Sequence, residues 1–431
     1  MRILQVIHDY LPLHTAGSEI YTAHLSRGLA DAGHDVAVFT CEENRALEQH
    51  TLTEREHDGI PVHEAIYNRI YHDLSEQWDD PKMAVLFGQV LDRFAPDLVH
   101  VQGLQFVGGT SSLRAAAERD IPVVMTLHEY WWLCPRAGLM FDLDGKACER
   151  ATSTDCARCV DIYPIDRERW SDAACEDAHA ELGDRRWFAR ALDRRAEDLA
   201  EAVGWVDRFR APSRFLGERF IDAGLPREKV VFADYGFPMP DPAGPARVPR
   251  TPGAPLRVGF VGTLSEYKGA DVLARAVSLS GLPEDALRAS IHGALDWFPE
   301  VAETLREMAA STPALHLPGP FDPSERDRIY ADLDLLVVPS LWWENSPLTI
   351  HEAWQRGVPV LTSELGGMAE LASQGGARTF PAGDADALAT LLRQLAGDPA
   401  SLEALRASIP PVRPLADDVV LFEQLAEQLR R

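Results

Sequence analysis

Long apolar runs are missing from this 431-residue chain, and none approaches the roughly 20 residues that carry a helix across a bilayer. Lysine is scarce as well. Only Lys82, Lys146, Lys229 and Lys268 stand among 42 basic residues, a bias that reads as drift toward arginine rather than chemistry. It nevertheless makes a lysine inside a motif conspicuous. The first residues, Met1-Arg2-Ile3-Leu4-Gln5-Val6-Ile7, enter a strand at once without the apolar region or cleavage site of a signal peptide, so a cytoplasmic product is expected. Positive charge is in deficit too. A net charge of −25 argues against nonspecific binding to nucleic acid or to an anionic bilayer. Two phosphate-binding fingerprints are absent: the Walker order Gly-x-x-x-x-Gly-Lys-Ser/Thr, and Gly-x-Gly-x-x-Gly after a strand. The second absence disfavours a nicotinamide dehydrogenase.

What is present is ordinary for a globular enzyme: 46% hydrophobic and 25% charged residues, in a length that predicts two domains. Strand and helix signals alternate throughout. Strands are predicted at 3–7, 36–40, 98–101, 123–127 and 229–233, then at 256–261, 289–292, 315–317, 333–338 and 358–361. Helices are predicted at 17–32, through 113–118, from Pro212-Ser213, and at 270–279, 347–356 and 417–428. The proline-rich stretch from Pro238 to Pro255 is the linker candidate. Alternation of this kind predicts an α/β protein with two Rossmann-like, doubly wound parallel-sheet domains facing a cleft. The expected division is 1–240, 241–408, and a C-terminal helix in 409–431 that returns to the N-terminal domain. One basic stretch stands out, with nine arginines against six acidic residues from Arg185 to Arg219 and Trp187 and Phe188 interleaved. It reads first as a solvated helix face and second as an acceptor-facing or membrane-touching surface, so at most peripheral membrane contact is expected.

The most informative segment runs from Pro339 to Gly357. It holds two carboxylates, Glu344 and Glu352, eight positions apart around a predicted helix start. Ser346 suits the N-cap, Pro347 the first helical position and Gly357 the stop. A helix N-terminus attracts phosphate. A carboxylate inside that helix can meet a ribose diol, and one ahead of it a sugar beyond the phosphate. The segment therefore suits a nucleoside diphosphate sugar, although two glutamates at this spacing also arise by chance.

Ligands of open α/β sheets sit at the C-terminal ends of strands. After the first strand, Gly17 opens a helix in His14-Thr15-Ala16-Gly17-Ser18-Glu19, where a plain structural turn is the equal alternative. After 123–127 comes His128, a site candidate by position. After 256–261 comes Gly262-Thr263-Leu264-Ser265-Glu266-Tyr267-Lys268-Gly269, whose lysine offers a point charge to a diphosphate. Gly366-Gly367 forms another strand-end turn.

Taken together, the Gly17-Ser18-Glu19 loop, Ala211-Pro212-Ser213, Gly262…Lys268-Gly269, Glu344-x7-Glu352 and Gly366-Gly367…Glu370 resemble the retaining glycosyltransferases of family 4, which have the GT-B fold. The resemblance covers nearly the whole chain. It implies that Lys268 holds the donor diphosphate and Glu352 the ribose hydroxyls. Glu344 would contact the transferred sugar, with backbone from Asn345, Ser346 and Leu348 lining sugar and phosphate. His128 would reach a sugar hydroxyl near the reacting carbon, and Gly319 would lie in the segment facing the base. Glu344 and His128 are thus the catalytic candidates, and Gly17, Gly262 and Thr263 complete the donor-binding set. The implied donor is a UDP- or GDP-sugar, the acceptor a glycan, a lipid-linked or a small molecule, and no catalytic metal is required. Where the family often has arginine, this chain has Thr263, which halves the side-chain charge for the diphosphate. Other readings are a nucleotide-sugar epimerase or hydrolase, or a catalytically idle nucleotide-sugar-binding scaffold.

Cysteine carries a separate signal. Cys134, Cys148, Cys156 and Cys159 fall within 26 residues and end in Cys-x-x-Cys. In a reducing compartment this pattern suits a structural zinc holding an insertion at about 134–161, with unliganded thiols as the alternative. Cys41 and Cys175 look unrelated. Tyr130, Trp131, Trp132 and Phe141 either shape an acceptor site or pack beneath that insertion.

Overall fold

The computed structural model describes the whole chain except residues 71–73, 137, 139, 142–146, 149–151, 163–184, 252 and 430–431. Lys146 and Cys175 lie outside the described residues, as do the side chains of Trp187 and Phe188. The chain divides into two units, Met1–Pro238 together with Arg413–Arg431, and Met239–Val412.

The first unit carries β1 (Arg2–Val6), β2 (Asp35–Glu42), β3 (Leu52–His57), β4 (Ile60–Ile66), β5 (Leu98–Val101), β6 (Val123–Thr126), β7 (Arg208–Ala211) and β8 (Val230–Phe232). They form one sheet in the order β3-β4-β2-β1-β5-β6-β7-β8. Every neighbour pair is parallel except β3–β4, an antiparallel hairpin turned at Asp58-Gly59 with φ of 50° and 74°. The second unit carries β9 (Leu256–Val261), β10 (Leu287–His292), β11 (Leu315–Gly319), β12 (Leu335–Val338), β13 (Val360–Ser363) and β14 (Ala377–Phe380), all parallel in the order β11-β10-β9-β12-β13-β14. Both units are parallel-sheet α/β domains, as the alternation predicts.

Both faces of the second sheet are covered, which explains the unbroken apolar run of its central strand β12. Along β12, Leu335 and Val337 join a core with the helices Ala270–Ser280 and Ala385–Gly397. Leu336 and Val338, pointing the other way, join a second core with Ile350, Trp354 and Met368. Local rules set the helix ends. Asp80 accepts from the amides of Lys82 and Met83 at the start of Pro81–Phe94, and Ser213 accepts from Leu216 N–H at the start of Arg214–Asp222. The helix around Glu352 spans Leu348–Gln355, one residue shorter at each end than predicted. Pro347 is its N-cap, while the hydroxyl of Ser346, the predicted cap, sits 2.8 Å from His351 Nε2 instead.

The C-terminal helix Leu415–Leu429 belongs to the first unit. Its Asp418 is fully buried and pairs with Arg210, which is itself only 2% exposed. Tyr21 joins them, donating to Asp418 Oδ2 at 2.9 Å and accepting from Arg210 Nη1 at 2.6 Å. Among the described residues, no helix is long and apolar enough to cross a membrane.

Candidate active site

In the second unit the chain leaves β9 toward β10 and β11, then returns at β12 on the other side of β9. An open parallel sheet parts its loops at such a reversal, and ligands bind there. Lys268 follows β9 and Glu344 follows β12, so the two predicted residues emerge from the two strands that flank the reversal.

Their loops are locked together by backbone. Leu341 N–H donates to Tyr267 O at 2.8 Å, and Gly269, at φ 69°, lies so near Pro339 that a Cβ would stand 2.1 Å from its carbonyl oxygen. Only glycine meets both demands. Lys268 Nζ then donates to Glu344 Oε1 at 2.6 Å, with Ser340 Oγ donating to the same oxygen at 2.8 Å. The ammonium also lies 5.2 Å from the centre of the Trp342 ring. Glu344 is buried, while the Lys268 side chain keeps 28% of its surface exposed. From behind, Gly367 donates its N–H to Glu344 O at 2.9 Å, and a Cβ there would meet Asn345 O at 1.5 Å. The glycine turn after β13 thus buttresses the Glu344–Asn345 backbone.

Glu352 lies in the fifth position of its helix, and each of its oxygens is engaged. Arg326 Nη1 donates to Oε1 at 2.9 Å, and Tyr330 OH donates to Oε2 at 2.9 Å. Burial, with the Glu352 charge next in size, holds the Tyr330 phenol well above its ordinary range, so it stays a donor. The strand-end glycines also gather. Gly293, after β10, donates its N–H to Gly319 O at 3.0 Å, and a Cβ on it would stand 2.3 Å from Gly262 O. Gly262, Gly293 and Gly319 thus meet at the ends of β9, β10 and β11, with the Leu264 side chain packed against Gly293. Thr263 follows as a half-buried neutral residue.

In the first unit, His128 follows β6 and both ring nitrogens are occupied. Nδ1 lies 2.7 Å from Tyr235 OH and Nε2 lies 2.7 Å from Gln102 Oε1. Gln102 Oε1 can only accept, so Nε2 carries the proton and Nδ1 accepts from the phenol. The ring stacks on Tyr235 with centres 5.4 Å apart. Burial, followed by the charges of Arg210 and His8, pulls the His128 pKa down to about 3. His128 is thus a neutral, oriented hydrogen-bonding group and not a proton acceptor near neutral pH. Gly17 is exposed at the start of the helix Gly17–Asp31, which has no side-chain cap.

An acid-lability prediction follows from His128. Its folded pKa lies below the unfolded value near 6.5, so the unfolded chain binds more protons and stability falls as pH drops from that value toward 3. Between about pH 7 and pH 4 the loss is on the order of 2–4 kcal/mol. Urea unfolding of the protein and of His128→Gln across that range checks it: the wild-type loss should exceed the variant's, and parallel curves would contradict it.

The four predicted metal ligands share one region. Cys156 and Cys159 sit on the helix Ser153–Ile162, and the ionisable groups felt by Cys156 include Cys134, Cys148 and Cys159. Among the described residues, however, the only three metal-capable side chains with ligand atoms within 4.8 Å of one another are His8, Asp9 and Glu19. The sulfurs therefore stand wider apart than a closed metal site requires. Trp131 and Trp132 are buried, so they pack in the interior instead of lining a surface.

Several partners escaped the sequence. Arg326 and Tyr330 lie 26 and 22 residues from Glu352, and Tyr235 lies 107 from His128. Nothing local marks them. Gly293 had a signal, as a glycine directly after a predicted strand.

Both units are parallel-sheet α/β domains with loops at strand ends, the architecture of the GT-B class. The comparisons agree. The description "Glycosyl transferase 4-like domain" matches residues 16–236, and "Glycosyl transferases group 1" matches 255–398. A D-inositol 3-phosphate glycosyltransferase of Corynebacterium aurimucosum is 32% identical over 85% of this chain and 81% of its own length. A glycogen synthase of Mycobacterium tuberculosis is 25% identical over 94% of this chain and 88% of its own. Among solved structures, the sucrose-phosphate synthase of Thermosynechococcus elongatus superposes with a TM-score of 0.68 at 16% identity, covering 99% of this chain and 98% of that one. HepE of Anabaena, solved with UDP, superposes at 0.65 and 18% identity, covering 100% and 99%. The chain belongs to the group 1 glycosyltransferases of the GT-B fold.

Proposed function

We propose that this protein transfers a sugar from a nucleoside diphosphate sugar to an acceptor hydroxyl with retention at the anomeric carbon. The observation that carries the reading is the Lys268–Glu344 pair at the sheet reversal, beside Glu352. Lys268 holds the donor diphosphate: its ammonium exchanges the Glu344 carboxylate for phosphate oxygens and stabilises the charge that grows as the diphosphate departs. Glu344, released from that contact, accepts from hydroxyls of the transferred sugar. Glu352 receives the ribose. Its two oxygens each accept one protein hydrogen bond, and a carboxylate has about four lone-pair directions, so two remain for ribose O–H donors. The helix at Leu348 lacks a side-chain cap, and its first amides, with backbone of Asn345 and Ser346, suit phosphate and sugar oxygens. Gly262 and Gly319 let the nucleotide approach backbone. His128 reaches a sugar hydroxyl only by exchanging its contact with Tyr235 or Gln102 for that hydroxyl. Retention follows if the diphosphate leaves first and the acceptor attacks the same face, which needs neither an enzyme nucleophile nor a catalytic metal.

UDP- and GDP-sugars are the first donors to test, given that HepE has been solved with UDP and with UDP-glucose. A thermal-shift panel of nucleotide sugars should raise the melting temperature with one of them, through selective binding to the native state. Glu352→Ala, with circular dichroism to confirm its fold, should abolish that shift. An equal shift in the variant would remove Glu352 from the donor site.

Thr263 bears on donor strength. If the diphosphate lacks charge there, Thr263→Arg should lower the donor Kd by about three- to tenfold, as one added charge-assisted hydrogen bond would. An unchanged Kd in calorimetry would mean that Lys268 and the helix start already suffice.

A further inference from the structure

The cysteines are not used by the proposed transfer, yet they share a locus with a buried cation. Cys134 follows β6 and donates its N–H to Tyr130 O at 2.7 Å. Cys148 is brought back by the Phe141–Ala147 antiparallel bridge and donates its N–H to Met140 O at 2.7 Å. Cys156 and Cys159, three apart on Ser153–Ile162, share a helix face. No disulfide joins these four. Arg195, on the neighbouring helix Arg185–Ala202, is only 6% exposed. It donates to the carbonyl oxygens of Trp131 and Trp132 and lies over the Trp131 ring at 4.9 Å. The acidic groups facing it are Cys134, Glu129 and Cys156. A buried guanidinium costs several kcal/mol unless negative charge accompanies it, and two of the three groups facing Arg195 are the sulfurs of Cys134 and Cys156. Burial raises the Glu129 pKa to about 7, so near neutral pH it balances less than one unit.

We propose that Cys134, Cys148, Cys156 and Cys159 bind one zinc ion as a tetrathiolate knuckle pinning the segment after β6, with Arg195 as its counter-charge. Zinc displaces four thiol protons, which leave to solvent, and forms four Zn–S bonds of about 2.3 Å. The ion draws the sulfurs together from their wider spacing. The resulting centre carries a formal charge of about −2, which the guanidinium partly offsets. Glu129 and His128 lie at the head of the pinned segment, so the ion would steady that strand end without touching substrate.

The test is metal analysis of the full chain purified without added zinc, by mass spectrometry, beside cobalt substitution followed by visible absorption. About one equivalent of zinc and a thiolate-coordinated tetrahedral cobalt spectrum are expected. The Cys148→Ser/Cys159→Ser variant should lose both. Arg195→Met should keep zinc but release it to a chelator about tenfold faster, in the range of lost outer-shell partners. Under about 0.2 equivalents in the wild type, even after incubation with zinc, would overturn the proposal. So would full zinc retention by the double variant, which would place the ion elsewhere, for example at His8, Asp9 and Glu19. The cobalt spectrum of the wild type reports the ligand type even if the variants fail to fold.

Discussion

Lys268→Ala should lower kcat/KM by about 10²- to 10³-fold, the range found when one preorganised charge is removed from a departing oxyanion. Two features make the effect large. Lys268 is the only basic residue between Gly262 and Gly269, and Thr263 adds no charge beside it. Its loss also leaves Glu344 buried with Ser340 Oγ as its remaining side-chain donor in this cluster, and that carboxylate would then repel the diphosphate. The double variant Lys268→Ala/Glu344→Gln separates the two contributions. Donor affinity should recover in part relative to Lys268→Ala, while turnover stays low. Steady-state kinetics with donor Kd from calorimetry checks this, and a kcat/KM within threefold of wild type would put the diphosphate elsewhere.

Asp418→Ala should cost about 3–5 kcal/mol in stability, because it strands the buried Arg210 guanidinium. The carboxylate serves more than one partner, since Tyr21 OH and the N–H of Gly236 donate to it as well. For a unit of this size the melting temperature should fall by roughly 10 °C. The exposed neighbour Asp417 provides the control, and Asp417→Ala should cost under about 1 kcal/mol. Similar losses in the two variants, measured by calorimetry, would show that the buried pair does not anchor the C-terminal helix.

Strands of parallel sheets are readable because both faces are covered. Leu335–Val338 is apolar throughout and Leu98–Val101 is broken only by the buried His100, and their predicted and observed positions differ by two residues at most. The β3–β4 hairpin escaped because Leu52–His57, at a sheet edge, is polar at every position after Leu52, although Asp58-Gly59 was a usable turn signal. The helix Pro81–Phe94 escaped despite Asp80-Pro81, an N-cap followed by proline at the first position.

In the site, Glu344, Lys268 and Glu352 were legible from strand ends and a helix start. What holds them was not. Arg326 and Tyr330 reach Glu352 from another helix, and Ser340 reaches Glu344 across a non-helical loop, where no periodicity marks a partner. Arg195 was visible only as one arginine in a basic stretch. Its burial over Trp131 is a tertiary fact that no local pattern encodes.

The most direct test of the account is turnover with the donor that binds, measured as nucleoside diphosphate release with and without a library of hydroxyl acceptors. Release should rise by about tenfold or more with one acceptor class, equivalent to at least ~1.4 kcal/mol of barrier, and the product's anomeric configuration by NMR should match the donor's. Equal release without acceptor, or an inverted product, would contradict it.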